Sequence, residues 1–518
     1  MMNRRRFLRQ GSVLSGAVAA TPWALNLATL GSASAQTAST DYRALVCVFL
    51  NGGNDGHNTV IPTDAVSWRC YTATRDPAVR AKLAGVALDP NSPNISLALA
   101  QSSLLSITHA NKAALNTGRT FALNPQLRQI QQLYASGKAA IVANVGPLVQ
   151  PTTKVDLNDP SFILPKKLYS HNDQQTTWQS FGPEGATGGW GGKFMDSLQS
   201  RNVNKTFSCV GVNTSNVWLA GRTVTPYQLG TSGVFMMGGD TGSIMGSASL
   251  YQAVRAVSVL KNPSDPFAQD YARVSQRALD AEAALRQALP ARTVAPWGTA
   301  GSTALTSDPL LQYTSPATGK AAYNELAGQL QLVARMISAR NHAAISAKRQ
   351  VFMVTLNGFD THSDQMSAHP ELMAKLDHAI GYFMNVLNHM PDGTDMRSQV
   401  TTFTASEFGR TLVNNGDGTD HGWGNHHFVV GGGVKGTDIY GRYPQFMAFD
   451  GNGEFFSDQL LRGGVLLPEL AVDQMVYTLG KWMGVADADL VGTTAGAGIC
   501  PNIGNFAATS RDIGFMSA

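Results

Sequence analysis

The chain has 518 residues, 43% hydrophobic and 14% charged, with 52 glycines. This excludes a disordered chain and fits a large, loop-rich globular protein, either one big α/β domain or two smaller ones. The formal charge of +4 lies in Arg4, Arg5, Arg6 and Arg9: residues 1–35 carry no acid, and beyond them 35 basic residues balance 35 acidic ones. The electrostatic case for a nucleic-acid partner therefore disappears.

Residues 1–35 read as a twin-arginine signal peptide. Asn3-Arg4-Arg5-Arg6-Phe7-Leu8-Arg9 carries the arginine pair, Gly11 to Leu30 is weakly apolar, and Ala33-Ser34-Ala35 is an A-x-A cleavage site. The expected destination is the periplasm or the exterior. No other stretch reaches the ~18 apolar residues of a membrane span, so no transmembrane anchor is expected in the mature form. The four cysteines (Cys47, Cys70, Cys209, Cys500) share no zinc-type spacing. Cys47 and Cys209 sit in apolar runs, whereas Cys70 and Cys500 lie in polar contexts where an oxidising compartment would allow a disulfide.

The first strand is Ala44 to Leu50, continuously apolar as in a buried parallel sheet. It runs into a glycine turn that carries Asp55. Residues 60–125 read as surface loops and a helix start. A helix to Ser136 and a strand from Ala139 to Val145 follow, giving a β-α-β crossover. Gly146 to Lys167 reads as loop. Tyr169-Ser170-His171-Asn172-Asp173 then opens a helix, with Ser170 or Asp173 as its cap. A serine at a helix N-terminus is also where an anionic ester would be held. A short helix (Lys193 to Gln199) and a strand (Phe207 to Val212) precede an insertion at about 213–319, the least sheet-like part. Helical periodicity from Tyr323 to Lys348 feeds a strand, Val351 to Leu356, which ends in Asn357-Gly358-Phe359-Asp360-Thr361-His362. A helix from Pro370 to Asn388 leads to a strand at Val400 to Phe403, followed at once by Glu407 and Arg410. After a polar loop come Asp420, His421, His426 and His427, then a strand at Phe428 to Val430. A helix from Leu467 to Met483 packs on the sheet, and 486–518 form a tail.

Asp55, Asp360, His362, Glu407, Asp420 and His421 thus follow strand ends, where an open α/β sheet gathers its chemistry. Carboxylates and imidazoles without cysteine suit a divalent ion. Zn²⁺ comes first, with Mn²⁺, Ca²⁺, Mg²⁺ or Fe as alternatives.

Five segments carry a family resemblance: FLNGGNDGHNTVIP (49–62), LYSHNDQQTTWQS (168–180), TLNGFDTHSDQ (355–365), TASEFGRT (404–411) and DHGWGNHHFVVGGGVKG (420–436). Over about 43–485 the chain resembles a twin-arginine-exported domain-of-unknown-function family of the alkaline phosphatase–sulfatase superfamily. The resemblance implies an alkaline-phosphatase-like, mostly parallel sheet with helices on both faces. It also implies two metal sites flanking a nucleophile. Asp360, His362 and His421 would hold one ion, while Asp55 and Glu407 would contribute to a second; Asp420, beside His421, is a further candidate metal ligand. Ser170 would be the nucleophile, His171 an acid–base group or ligand, and Arg410 a partner of substrate oxygens. Two departures stand out. Phe408 occupies the position of a second-metal histidine, and no C-x-P-x-R or S-x-P-x-R sulfatase motif is present. The implied activity is hydrolysis of phosphate or sulfate esters, on a small anionic ester or an ester-bearing polymer. The alternative is a non-catalytic, metal-containing exported protein that binds or assembles an exported partner.

Overall fold

The computed structural model describes residues 41–88, 95–233, 242–447, 457–494 and 496–517. The signal peptide read at 1–35 lies outside them. In chain order the strands are β1 (Arg43–Asn51), β2 (Val60–Pro62), β3 (Leu105–Ile107), β4 (Phe121–Leu123), β5 (Ala139–Gly146), β6 (Cys209–Val212), β7 (Tyr227–Leu229), β8 (Gln312–Thr314), β9 (Ala321–Tyr323), β10 (Arg349–Asn357), β11 (Val400–Ala405), β12 (Asn425–Val430), β13 (Ile439–Tyr440) and β14 (Leu470–Ala471). The helices are α1 (Ala65–Arg75), α2 (Pro77–Ala84), α3 (Arg128–Ala135), α4 (His171–Ser180), α5 (Trp190–Leu198), α6 (Ala248–Ser258), α7 (Pro266–Ala288), α8 (Glu325–Ser338), α9 (Gln365–Asn388), α10 (Val472–Met483) and α11 (Asp487–Val491).

The main sheet runs β13-β5-β12-β11-β1-β10-β6-β7, with β14 also on β5. All its pairings are parallel except β11–β12 and β12–β5. This is the mostly parallel α/β architecture expected. β1 explains its own place: seven consecutive buried residues leave no face for water, so it lies between β10 and β11. Leu45, Cys47 and Phe49 share a core cluster with Trp190 and Phe194 of α5 and Met475 and Val476 of α10. The alternate residues Val46 and Val48, equally buried, face the other side.

The region 60–125, expected to be surface loops and a helix start, holds α1, α2 and a three-stranded antiparallel sheet, β2-β4-β3. Asp64 caps α1 and Asp76 caps α2, each accepting backbone N–H bonds. Their apolar faces are weak, which hid them from a periodicity reading. β5 does not pair with β1: β12 and β11 stand between them. α9 starts five residues before Pro370, which is accommodated inside it. Cys70 and Cys500 are both free, buried thiols: Cys70 donates to Met447 O, and Cys500 belongs to the core cluster.

The topology settles where side chains gather. β1, β10 and β11 run the same way, in a register that pairs Asn51 with Asn357 and Phe49 with Ala405. Their C-terminal ends therefore meet at one edge. β12 runs oppositely, so the residues just before it reach that same edge.

Candidate metal centre

Two turns meet first. Gly52, at φ +117°, lets the chain leave β1 against the turn after β10; a Cβ there would overlap the backbone of Asp360. A Cβ on Gly53 would overlap the Phe408 ring. After β11, the segment from Glu407 to Gly424 doubles back. Gly422 N–H donates to Gly409 O at 2.7 Å and Thr411 N–H to Asp420 O at 3.0 Å, so Arg410 and His421 form a bridge pair. α4 approaches from the loop after β5 and brings His171.

Three side-chain atoms form a close triangle. Asp360 Oδ1 lies 3.2 Å from His362 Nε2 and 3.3 Å from His421 Nε2, and the two Nε2 atoms are 2.9 Å apart. The other ring nitrogens fix the tautomers. His421 Nδ1–H donates to Tyr169 O at 2.7 Å. His362 Nδ1–H donates to Asp420 Oδ1 at 3.2 Å. Carbonyl and carboxylate oxygens only accept, so both Nε2 atoms present lone pairs. Two lone pairs and a carboxylate oxygen at these distances call for positive charge among them. Arg410 supplies part of it, with Nη2 donating to Asp360 Oδ1 and Nη1 3.5 Å from His362 Nε2, and a bound cation would supply the rest.

The dimensions fit such a cation. Zinc–nitrogen and zinc–oxygen bonds of about 2.0–2.1 Å place neighbouring ligands of a tetrahedron about 3.3 Å apart. One oxygen and two imidazole nitrogens, each ring braced through its far nitrogen, are a zinc-type donor set with its outer supports. His171 joins from the fourth side: His171, Asp360 and His421 offer ligand atoms within 4.8 Å of one another. His171 Nδ1 bonds Glu407 Oε1 at 2.9 Å, and its Nε2 lies 3.4 Å from Asp360 Oδ2, buried and without a hydrogen bond.

The electrostatics divide these residues. The Glu407 carboxylate on Nδ1–H, offset partly by burial, raises His171 above the ordinary imidazole range. Burial, with the positive Arg410 nearby, lowers His421 below the ordinary imidazole range. Burial works against the charge of Asp360, but the hydrogen bond and charge of Arg410, then His171 and His362, hold it below the usual carboxylate range.

The remaining candidates stand around this core. Glu407 is fully buried, and its Oε1 accepts from Gly52 N–H (2.9 Å), Gln175 Nε2 (3.0 Å) and His171. It braces His171. Asp420 braces His362 and accepts from Asn415 Nδ2 at 3.0 Å. Arg410 is buried and spends its donors on Gly52 O, Gly53 O, Phe359 O, Thr419 O and Asp360. Ser170 sits at the N-cap of α4 without making a capping bond; its hydroxyl donates to Asp173 Oδ2 at 2.8 Å. Asp55 is not in the cluster. It is fully buried and held at about 2: burial opposes its charge, and the pair with Arg75 outweighs burial.

Two contributors act on the site without offering it a ligand atom. Phe408 stacks on His421 at 4.5 Å and packs against His171 at 4.8 Å, forming an apolar floor that fixes both rings. Tyr169 has a left-handed backbone, φ +71°, that aims its carbonyl at His421. His426 and His427 lie on β12 away from the triangle. His426 accepts from Asn144 N–H and stacks on Tyr443, and His427 packs against Trp178.

No curated protein matches the chain. Two solved structures are similar at low level. One, from Bacteroides thetaiotaomicron, is described as "Metabolism of multiple glycosaminoglycans by bacteroides thetaiotaomicron is orchestrated by a versatile core genetic locus (BT33494S-sulf)". It has 11% identity and a TM-score of 0.31, over 86% of this chain and 74% of that one. The other, "Crystal structure of Ps i-CgsB in complex with k-i-k-neocarrahexaose", has 7% identity and a TM-score of 0.29, over 86% and 72%. A family profile matches residues 42–492, most of the chain, which therefore belongs to the family described as "Protein of unknown function (DUF1501)".

Proposed function

We propose that the chain is an exported, metal-dependent hydrolase of phosphate or sulfate esters. The observation that carries this reading is the triangle of Asp360 Oδ1, His362 Nε2 and His421 Nε2, with edges of 2.9–3.3 Å. These three residues would hold one divalent ion, Zn²⁺ by donor type. The ion, when bound, supplies Lewis-acid stabilisation of charge on the ester oxygens.

The chain's own groups do the rest. Ser170 is the attacking hydroxyl, at the start of α4, where the first-turn N–H groups and helix dipole favour an anionic ester. Asp173 accepts its hydrogen bond, orients it and takes its proton as the serine oxygen attacks, and water then releases the esterified serine. His171 lies beside it, with Nδ1–H fixed on Glu407, and its raised proton affinity suits a donor to the leaving oxygen. Arg410 holds Asp360 and both glycine turns in place. The substrate is a small anionic ester or an ester-bearing polymer.

Metal analysis of the purified protein, with a panel of phosphomonoester, phosphodiester and sulfate ester, tests the proposal. Turnover should vanish in Ser170→Ala and His421→Ala, with metal lost only in the second. Stoichiometric metal without turnover of any ester would favour a second reading, a metal-holding exported binding or assembly protein. The buried Phe408 at a ligand position favours that alternative. Protein free of metal after exposure to each candidate ion would refute both. Export is tested separately: the mature protein should appear outside the cytoplasm, cleaved after Ala35.

A further inference from the structure

We propose that this is a single-ion centre, in which Arg75 takes the place of a second metal ion at Asp55. The inference rests on the metal-centre reading above and concerns its stoichiometry. The superfamily resemblance implies a second site at Asp55 and Glu407; the residues present do not fit one.

Asp55 has no ligand capacity to spare. Its Oδ2 accepts from Arg75 Nη1 at 2.5 Å and Gln365 Nε2 at 2.6 Å. Its Oδ1 accepts from Arg75 Nη2 at 2.9 Å and His57 N–H at 3.1 Å. Four donors saturate the four lone-pair positions of a carboxylate. The pair is bidentate and both side chains are fully buried. Arg75 is further anchored to Thr411 O at 3.1 Å. An entering ion would have to expel a guanidinium that has no water to receive it. Leaving one partner of a buried pair unpaired is equivalent to weakening ion affinity about 10²–10⁴-fold.

The other expected ligands offer less than a full site. Glu407 Oε1 already takes three donors, leaving only Oε2, which has a 3.4 Å contact with Ser406 Oγ, and Phe408 offers a hydrocarbon ring, tight against Gly53, where a histidine would have to coordinate. The positive charge at Asp55 is thus covalently attached to α1 and permanent. It does not depend on metal supply.

The test is ion counting. Purified protein is stripped with chelator, saturated with ZnCl₂, desalted, and its zinc measured by mass spectrometry against protein concentration. The expected result is one Zn²⁺ per chain, retained in Asp55→Asn and lost in His421→Ala. Because Asp55→Asn leaves Arg75 buried without a counter-charge and so threatens folding, crystals of the unmodified protein soaked in ZnCl₂ provide an independent reading. Anomalous scattering should show one peak, among Asp360, His362 and His421, and none at Asp55. Two zinc ions per chain, or a peak at Asp55, would overturn the single-ion inference while leaving the centre standing. No zinc at all would overturn the metal-centre reading and this inference with it.

Discussion

Replacing Arg410 by lysine separates a structural arginine from a substrate-binding one. The guanidinium is buried and meets four backbone carbonyls, Gly53 O at 2.9 Å, Thr419 O at 2.9 Å, Gly52 O at 2.8 Å and Phe359 O at 3.1 Å, as well as Asp360. A lysine ammonium keeps the charge but has three donors. If one stays on Asp360, at least two of the four carbonyls lose their partner. Each buried unsatisfied carbonyl costs about 1–3 kcal/mol, so Arg410→Lys should lose roughly 2–6 kcal/mol. Arg410→Met would strand all four, which rivals the whole stability of a typical domain, so lysine is the informative change. The assay is equilibrium urea unfolding followed by intrinsic fluorescence, beside zinc occupancy. The lysine variant should unfold at markedly lower urea and hold zinc more weakly, because Asp360 is no longer fixed. A variant as stable as the parent within about 1 kcal/mol, but with a raised KM for an anionic ester, would refute this reasoning. Arg410 would then be a substrate group.

Three further outcomes are expected. Phe408→Ala should cost about 3–5 kcal/mol in the same urea assay, as for a buried aromatic. It should also weaken zinc binding about 10-fold in a competition titration, because both imidazoles lose their floor. Burial lowers His427 to about 3 and is the largest influence holding His57 and His369 at about 4. These rings stay neutral in the folded chain while the unfolded chain protonates near pH 6.5, so their contribution is whole above that pH and is lost on acidification. His427→Phe should remove roughly 3 kcal/mol of the loss seen by pH 4, measured by urea unfolding across pH. Asp473 behaves oppositely. Burial raises it to about 7, so its contribution is whole below the unfolded value near 4 and is lost as pH rises through about 7. Asp473→Asn should abolish a decline of about 4 kcal/mol between pH 4 and 8; an unchanged pH profile would contradict the assignment.

How much could be read from the residues follows from what each one does. The gathering of Asp360, His362 and His421 at one edge was legible because their strands are uniformly apolar and the glycine turns after them are abrupt. Glu407 and Asp420 were legible as polar groups at the right edge, but not as braces: nothing local distinguishes a carboxylate that meets an ion from one that meets the imidazole behind it. Asp55 was legible as a strand-end carboxylate, but its pairing was not. Its partner Arg75 lies in the last turn of a helix whose amphipathic pattern is weak, and pairing across that turn leaves no periodic trace. Tyr169 was out of reach altogether, since its contribution is a carbonyl, and a carbonyl belongs to every residue. The reversal of β12 was also hidden, because a short apolar strand reads the same in either direction.

The brace from Tyr169 to His421 has a kinetic consequence. It joins residues 252 apart in sequence, and the brace from Glu407 to His171 spans 236. Contacts of such separation carry a large loop-closure cost and form late in folding. His421 therefore acquires a fixed tautomer only when the loop before α4 has docked, and an unfolded or half-folded chain offers scattered imidazoles instead of a site. An ion that favours the finished arrangement adds its binding energy to the native state alone and slows the chain's unfolding. The loop that closes the centre would then govern how long the protein survives once it is made.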